Sequence, residues 1–160
     1  MALSRQSTRG DEIRQDIELM FFAYRAFTRD VDSELEKIGL GRAHHRVLHF
    51  VHSRPYIIVG DLLAILDVSK QSLNRVMRDL QEREFITTVV DQEDKRRRRL
   101  KLTPKGARFA DTLTKLQRER FVRGYRSMTP DVVNAWRRVL ESMLDEEERL
   151  FVYKVIGRGS

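Results

Sequence analysis

Asp94-Lys95-Arg96-Arg97-Arg98-Arg99-Leu100-Lys101-Leu102-Thr103 carries six cationic side chains within the eight residues from Asp94 to Lys101. Five adjacent cations repel one another, so the run is tolerable only in solvent or against a dense array of negative charge. Duplex DNA, with one phosphate charge per ~1.7 Å of axis, is such an array. Strand-like sequence lies on both sides. Phe85-Ile86-Thr87-Thr88-Val89-Val90 is rich in β-branched residues, and Leu100 and Leu102 alternate with Lys101. The pattern predicts a hairpin with one apolar face, its strands joined by the polar loop from Asp91 to Arg97.

Two short helices are predicted upstream of the hairpin. Val59, Leu62, Leu63 and Leu66 recur at spacings of three and four, which makes Val59–Leu66 one amphipathic helix. Asp67-Val68 then forms a tight turn, since Asp is one of the few non-glycine residues that tolerates a left-handed backbone. Ser69 is a good N-cap for the second helix. In that helix Leu73, Val76, Met77 and Leu80 form an apolar stripe facing a core. The opposite face carries Gln71, Asn74, Arg75 and Arg78, with Lys70 and Ser72 near the start. These side chain types bind phosphates or read base edges when the front of a helix enters the major groove. Taken alone, the helix fits an ordinary solvated surface equally well. A helix-turn-helix followed at once by a basic two-stranded wing is a winged helix, and here pattern, order and charge agree.

The chain resembles the MarR family of bacterial transcription regulators. Asp94-Lys95-Arg96 and the basic strand ending Leu102-Thr103-Pro104-Lys105-Gly106 are similar to that family's wing pattern. Val68-Ser69 followed by Ser72-Leu73 resembles the start of its recognition helix. The resemblance covers roughly residues 11–150. Two residues depart from it: Glu84 stands where the family usually has a glycine, and Asp67 replaces a common turn glycine. The resemblance implies a ligand-responsive homodimer on a pseudo-palindromic operator, repressing or activating by occupying a promoter. The expected DNA contacts are Ser69, Lys70, Gln71, Ser72, Asn74, Arg75 and Arg78 from the recognition helix, with Lys95, Arg96, Arg97 and Arg98 from the wing. It further implies a small aromatic anion as effector, for which Tyr24, Arg25, His45, Arg46 and His49 offer stacking and charge.

Helical periodicity dominates outside this unit. Ile13, Ile17, Met20, Phe21, Tyr24, Phe27, Val31, Leu35 and Ile38 predict a long first helix ended by Gly39 or Gly41. Val47, Leu48 and Val51 share one face of a second helix, Arg42 to Ser53, stopped by Arg54-Pro55. Thr103-Pro104 opens a helix expected to reach about Met128, and Thr129-Pro130 opens a last one. Val132, Val133, Trp136, Val139, Leu140, Met143, Leu144, Leu150 and Phe151 give this last helix a wide apolar stripe. The polar ends, Met1–Gly10 and Gly157–Ser160, are expected to fray. The fold class is therefore mainly α with a small β wing (α+β). Residues 1–41 form a tail and dimerisation helix, 42–106 the winged DNA-binding unit, and 107–160 the rest of the dimerisation region. One chain has too little surface to cover both outer stripes, which is the argument for a homodimer. Two recognition helices would then face half-sites roughly one turn, ~34–36 Å, apart.

Composition narrows the class further. The chain has 160 residues and a formal charge of +7, concentrated between Ile58 and Arg108, where 12 Lys/Arg face 8 Asp/Glu. With no cysteine, disulfides, iron–sulfur clusters and thiolate sensing are excluded. The start Met1-Ala2-Leu3-Ser4-Arg5-Gln6-Ser7 lacks an apolar region, so a soluble, cytoplasmic chain without signal peptide or membrane association is expected. No nucleophile–base–orienter set is visible, which argues against an enzyme. No aromatic residue interleaves the cations between Asp91 and Arg108, unlike a single-strand RNA binder. The acidic run Asp145-Glu146-Glu147-Glu148 reads as a solvated face or as ion-pair partners for Arg149. All four histidines, His44, His45, His49 and His52, fall in the second helix. His45 and His49 at i, i+4 are one metal-ligand spacing, which makes a metal-binding helical protein or metal sensor the alternative function. Interfacial histidines bonded to backbone or carboxylates are the simpler account, and neither a metal nor a cofactor is expected.

Overall fold

The computed structural model describes residues 2–158, with side-chain surroundings from Gly10 onward. Its order is α1 (Ala2–Glu36), α2 (Arg42–Ser53), β1 (Ile57–Ile58), α3 (Val59–Leu66), α4 (Lys70–Glu82), β2 (Ile86–Val90), β3 (Arg98–Leu102), α5 (Pro104–Tyr125), α6 (Pro130–Ser142) and α7 (Glu146–Ile156). Helix α1 is already helical at Ala2, so the stretch 2–10 does not form the frayed tail expected of it. At the other end Gly157 closes α7 in a left-handed conformation, while Met1, Gly159 and Ser160 lie outside the described residues.

Local capping chemistry sets most boundaries. Asp67 ends α3 at φ 47°, ψ 52°, its N–H donating to the Leu63 carbonyl. The Ser69 side chain accepts the Ser72 N–H at 3.2 Å to open α4. Thr103 and Thr129, each followed by proline, accept the N–H of Gly106 and Val132 to open α5 and α6. The last helix departs from expectation by breaking in two. Asp145 accepts the Glu148 N–H at 2.9 Å, and the Glu148 carboxylate accepts the Asp145 N–H at 3.0 Å. This reciprocal capping box makes the acidic run a helix start, where glutamates also suit the positive end of the helix dipole.

The sheet has three antiparallel strands in the order β1-β3-β2, with Leu100 opposite both Thr88 and Ile57. The periodicity predicted β2 and β3. Strand β1 was not predicted, because two residues are too few to show alternation. It exists because Pro55 stops α2 and Tyr56, at φ 67°, turns the chain so that its N–H reaches the Leu100 carbonyl at 2.8 Å.

Val47, Leu48 and Val51 of α2 sit at the centre of the core. Leu62, Leu73, Leu80, Phe85, Ile86 and Leu100 close over them from α3, α4 and the sheet. Val31 and Leu35 of α1, Leu40 ahead of α2, Ile57 of β1 and Leu113 of α5 complete the cluster. Each fully buried leucine contributes roughly 1.5–3 kcal/mol relative to exposure. Gly106 marks the closest approach, since a Cβ there would lie 1.9 Å from the Phe85 carbonyl oxygen. By contrast, every described residue of α1 up to Arg25 is exposed, and α6 and α7 contribute no buried residue.

Candidate nucleic-acid interface

Helix α4 turns Leu73 and Leu80 into the core, which leaves its other face to solvent. Lys70, Gln71, Asn74, Arg75 and Arg78 line one shallow depression on that face. All five are exposed, and Lys70, Arg75 and Arg78 form no ion pair among the described residues. Ser69, at the front, is committed to capping: its Oγ donates to Ser72 Oγ at 2.8 Å while accepting the Ser72 N–H, which leaves the exposed Ser72 hydroxyl free to donate.

The wing tip is organised by Asp91, which keeps only 3% of its surface exposed. One oxygen accepts the N–H groups of Glu93 and Asp94 at 2.8 and 3.1 Å, and the other holds the Arg99 guanidinium. Those backbone donors, with Arg99 behind them, keep the carboxyl below the usual carboxylate range. Arg99 also donates to the Tyr56 carbonyl at 3.3 Å, so it braces the sheet. Asp94 accepts the Arg96 N–H and lies 3.3 Å from the Arg97 guanidinium. Lys95, Arg96 and Arg98 remain exposed without an ion-pair partner among the described residues, and Arg97 is exposed but shared with Asp94. The run of adjacent cations thus divides into a bracing arginine, a shared one and three unpaired cations. Asp91 and Arg99 escaped the sequence reading. An Asp between a strand and a polar loop was the available signal, because its side chain commonly caps the N–H groups two and three residues ahead.

An exposed polar and cationic helix face in the same unit as an exposed cationic hairpin suits double-stranded DNA. The MarR family profile matches residues 38–97, which spans α2, α3, α4 and the first part of the wing. Over 139 residues the chain is 45% identical to the HTH-type transcriptional regulator PetP of Rhodobacter capsulatus, covering 87% of this chain and 84% of that protein. The chain belongs to the MarR family. It is a transcription regulator, not an enzyme. Among solved structures, a MarR family transcriptional regulator from Silicibacter pomeroyi is 26% identical with a TM-score of 0.65, covering 79% of this chain and 85% of that one. A mutant E. coli MarR complexed with operator DNA shares the fold at 22% identity and a TM-score of 0.63, over 83% of this chain and 96% of that one.

Two of the four histidines of this MarR-family chain pair with separate carboxylates. His44 Nε2 lies 2.8 Å from an Asp79 oxygen, and His52 Nε2 lies 2.9 Å from an Asp111 oxygen. Burial, and then the neighbouring His49, push His45 down to about 4, and burial also lowers His49 from its ordinary 6.5. Both rings are therefore neutral at pH 7 and stand 6.2 Å apart. Among the described residues no three His, Cys, Asp or Glu side chains converge as a metal site. Of the residues considered for an aromatic anion, Arg46 is exposed, and Tyr24 and Arg25 open into different depressions. Tyr24 lines an apolar groove with Phe27, Phe121 and Trp136, whereas Arg25 lines a polar one with Arg29, Asp32 and Arg42. No helix among the described residues is long and apolar enough to cross a membrane.

Proposed function

We propose that this regulator binds a pseudo-palindromic operator as a homodimer, with α4 reading base edges in the major groove and the wing anchoring phosphate or the minor groove. The observation that carries this reading is the set Lys70, Gln71, Asn74, Arg75 and Arg78, gathered in one depression on the exposed face of α4, in a unit whose hairpin also carries unpaired cations. Arg75, with Gln71 and Asn74 beside it, suits a bidentate contact to guanine. Residues 42–106 serve as the DNA-binding unit. The outer helices, residues 1–41 and 107–160, serve as the dimerisation region, supported by exposed Ile17, Phe21, Val139 and Met143. An aromatic anion held by residues among Tyr24, Arg25, His45, Arg46 and His49 would loosen DNA binding by favouring a dimer with the wrong recognition-helix separation. The cytoplasm, where the chromosome lies, is the expected compartment.

Selection of duplexes from a randomised pool with the parent chain supplies the operator for the test. Arg75→Ala should then cost about 1–3 kcal/mol on the selected duplex and little on a scrambled one. Arg96→Ala or Arg98→Ala should weaken both and reduce the steepness of the salt dependence by about one unit. Arg97→Ala should do less, because Asp94 already offsets part of that charge. A selected duplex bound equally well by parent and Arg75→Ala would remove α4 as the reader.

A further inference from the structure

Helix α4 is gripped at its C-terminal end by a polar joint that the apolar core does not require. Arg83 Nε donates to Asp79 Oδ1 at 2.6 Å, and its Nη1 donates to the Ile38 carbonyl at 2.8 Å, just beyond the end of α1. The other Asp79 oxygen, Oδ2, faces His44 Nε2 at 2.8 Å, in the first turn of α2. The Gly41 N–H donates to His44 Nδ1 at 3.1 Å, so Nε2 carries the ring proton and a neutral imidazole suffices as donor. Lys105, at the start of α5, donates to the Arg83 carbonyl at 2.8 Å. The Arg83 guanidinium holds the Asp79 carboxyl below the usual carboxylate range, so the group stays ionised.

Asp79 lies four residues after Arg75, the spacing at which an arginine and a carboxylate on one helix meet. Arg75 nevertheless stays unpaired among the described residues, while each Asp79 oxygen already holds a partner from another element or from the end of α4. We propose that Asp79 is the positioning residue of α4: held by His44 and Arg83, it fixes the helix to the α1–α2 junction and is kept from capturing Arg75. The proposal rests on α4 being the recognition helix. Its consequence is that the aim of Arg75 depends on where α1 ends and α2 begins.

The test compares parent, Asp79→Asn, Arg75→Ala and the double variant on the selected and scrambled duplexes, with urea unfolding run alongside. Asn keeps the shape and one acceptor but presents an NH2 to a second donor. Asp79→Asn is expected to weaken binding to the selected duplex about tenfold and to leave scrambled binding within about twofold. Arg75→Ala should cost less in the Asp79→Asn background than in the parent, a non-additivity that lost stability alone does not produce. His44→Gln, which retains a donor near Nε2, should recover most of what His44→Ala loses. If Asp79→Asn does not fold, Arg83→Lys combined with Arg75→Ala carries the same cycle, since lysine cannot bridge Asp79 and the Ile38 carbonyl as the guanidinium fork does. Additive costs, or equal losses on both duplexes, would overturn the joint while leaving α4 as the reader. No cost of Arg75→Ala in the parent would remove both.

Discussion

Leu48, at the centre of the winged unit, is fully buried, whereas Trp136 on α6 keeps 41% of its surface exposed and Ile17 on α1 keeps 66%. Both regions are built from amphipathic helices with apolar stripes. They differ in what is available to cover the stripe. Helices α2, α3 and α4 and the sheet surround one another within a single chain, with the inner ends of α1 and α5 closing the remaining gap. The outer half of α1, with α6 and α7, has only one layer of neighbours. There Phe121 bridges Phe27 and Trp136 at 5.4 and 5.9 Å, but the groove beside them stays open. A stripe of apolar residues therefore specifies that a surface will be buried, and the number of neighbouring elements decides whether one chain can bury it.

The largest expected effect breaks the self-sufficient region. Gly106→Ala would drive a Cβ into the Phe85 carbonyl, a backbone group that cannot swing aside as a side chain can, so it should cost upward of about 3 kcal/mol. Urea unfolding of parent and variant at one protein concentration should register this loss. A variant as stable as the parent would mean that α5 and β2 slide apart freely, and that the winged unit is looser than its packing implies.

The next effect probes the open region. In a monomer, Ile17→Asp alters a side chain that is 66% exposed and should change stability by no more than about 0.5 kcal/mol. In the proposed dimer it should cost about 2 kcal/mol or more of association free energy. Sedimentation equilibrium should then show parent dimers and variant monomers, with the parent's melting temperature rising with concentration. A well-folded parent monomer at micromolar concentration would end the dimer proposal and the two-fold operator with it.

The smallest effect sharpens the corner between α4 and β2. Glu84 is held at φ 60° by its N–H to the Gln81 carbonyl and by the Thr103 hydroxyl donating to its own carbonyl. Relief of left-handed strain outweighs the extra chain entropy of glycine, so Glu84→Gly should stabilise by about 0.5–1 kcal/mol. Thermal unfolding of the two chains measures it. A destabilised variant would show that the Glu84 side chain contributes more than the backbone strain costs.

Much of the winged unit was legible because its signals are local. Ser69, Thr103 and Thr129 cap helices through an N–H three residues ahead, and Asp67 takes the left-handed turn its side chain tolerates. The break between α6 and α7 was legible too, in Asp145 and Glu148 at capping-box spacing. The wide apolar stripe running across it concealed the break, since periodicity continues through a short interruption. Among candidate DNA contacts, the exposed face of α4 follows from helical geometry alone once the buried face is known.

The amino-acid sequence by itself determined the order of the elements apart from β1 and the α6–α7 break, the caps at Ser69, Thr103 and Thr129, the face of α4 that meets solvent and the cationic character of the wing. Each of these depends on residues within a turn or two of one another. Only the tertiary structure decided which cations remain unpaired and which carboxylates hold the others. Arg99 reaches the Tyr56 carbonyl across 43 residues, and Arg83 reaches the Ile38 carbonyl across 45. A carboxylate such as Asp79 or Asp91 has several cations nearby in sequence. It pairs with those whose donors the packed backbone brings within hydrogen-bond distance, and that distance exists only once the chain has folded.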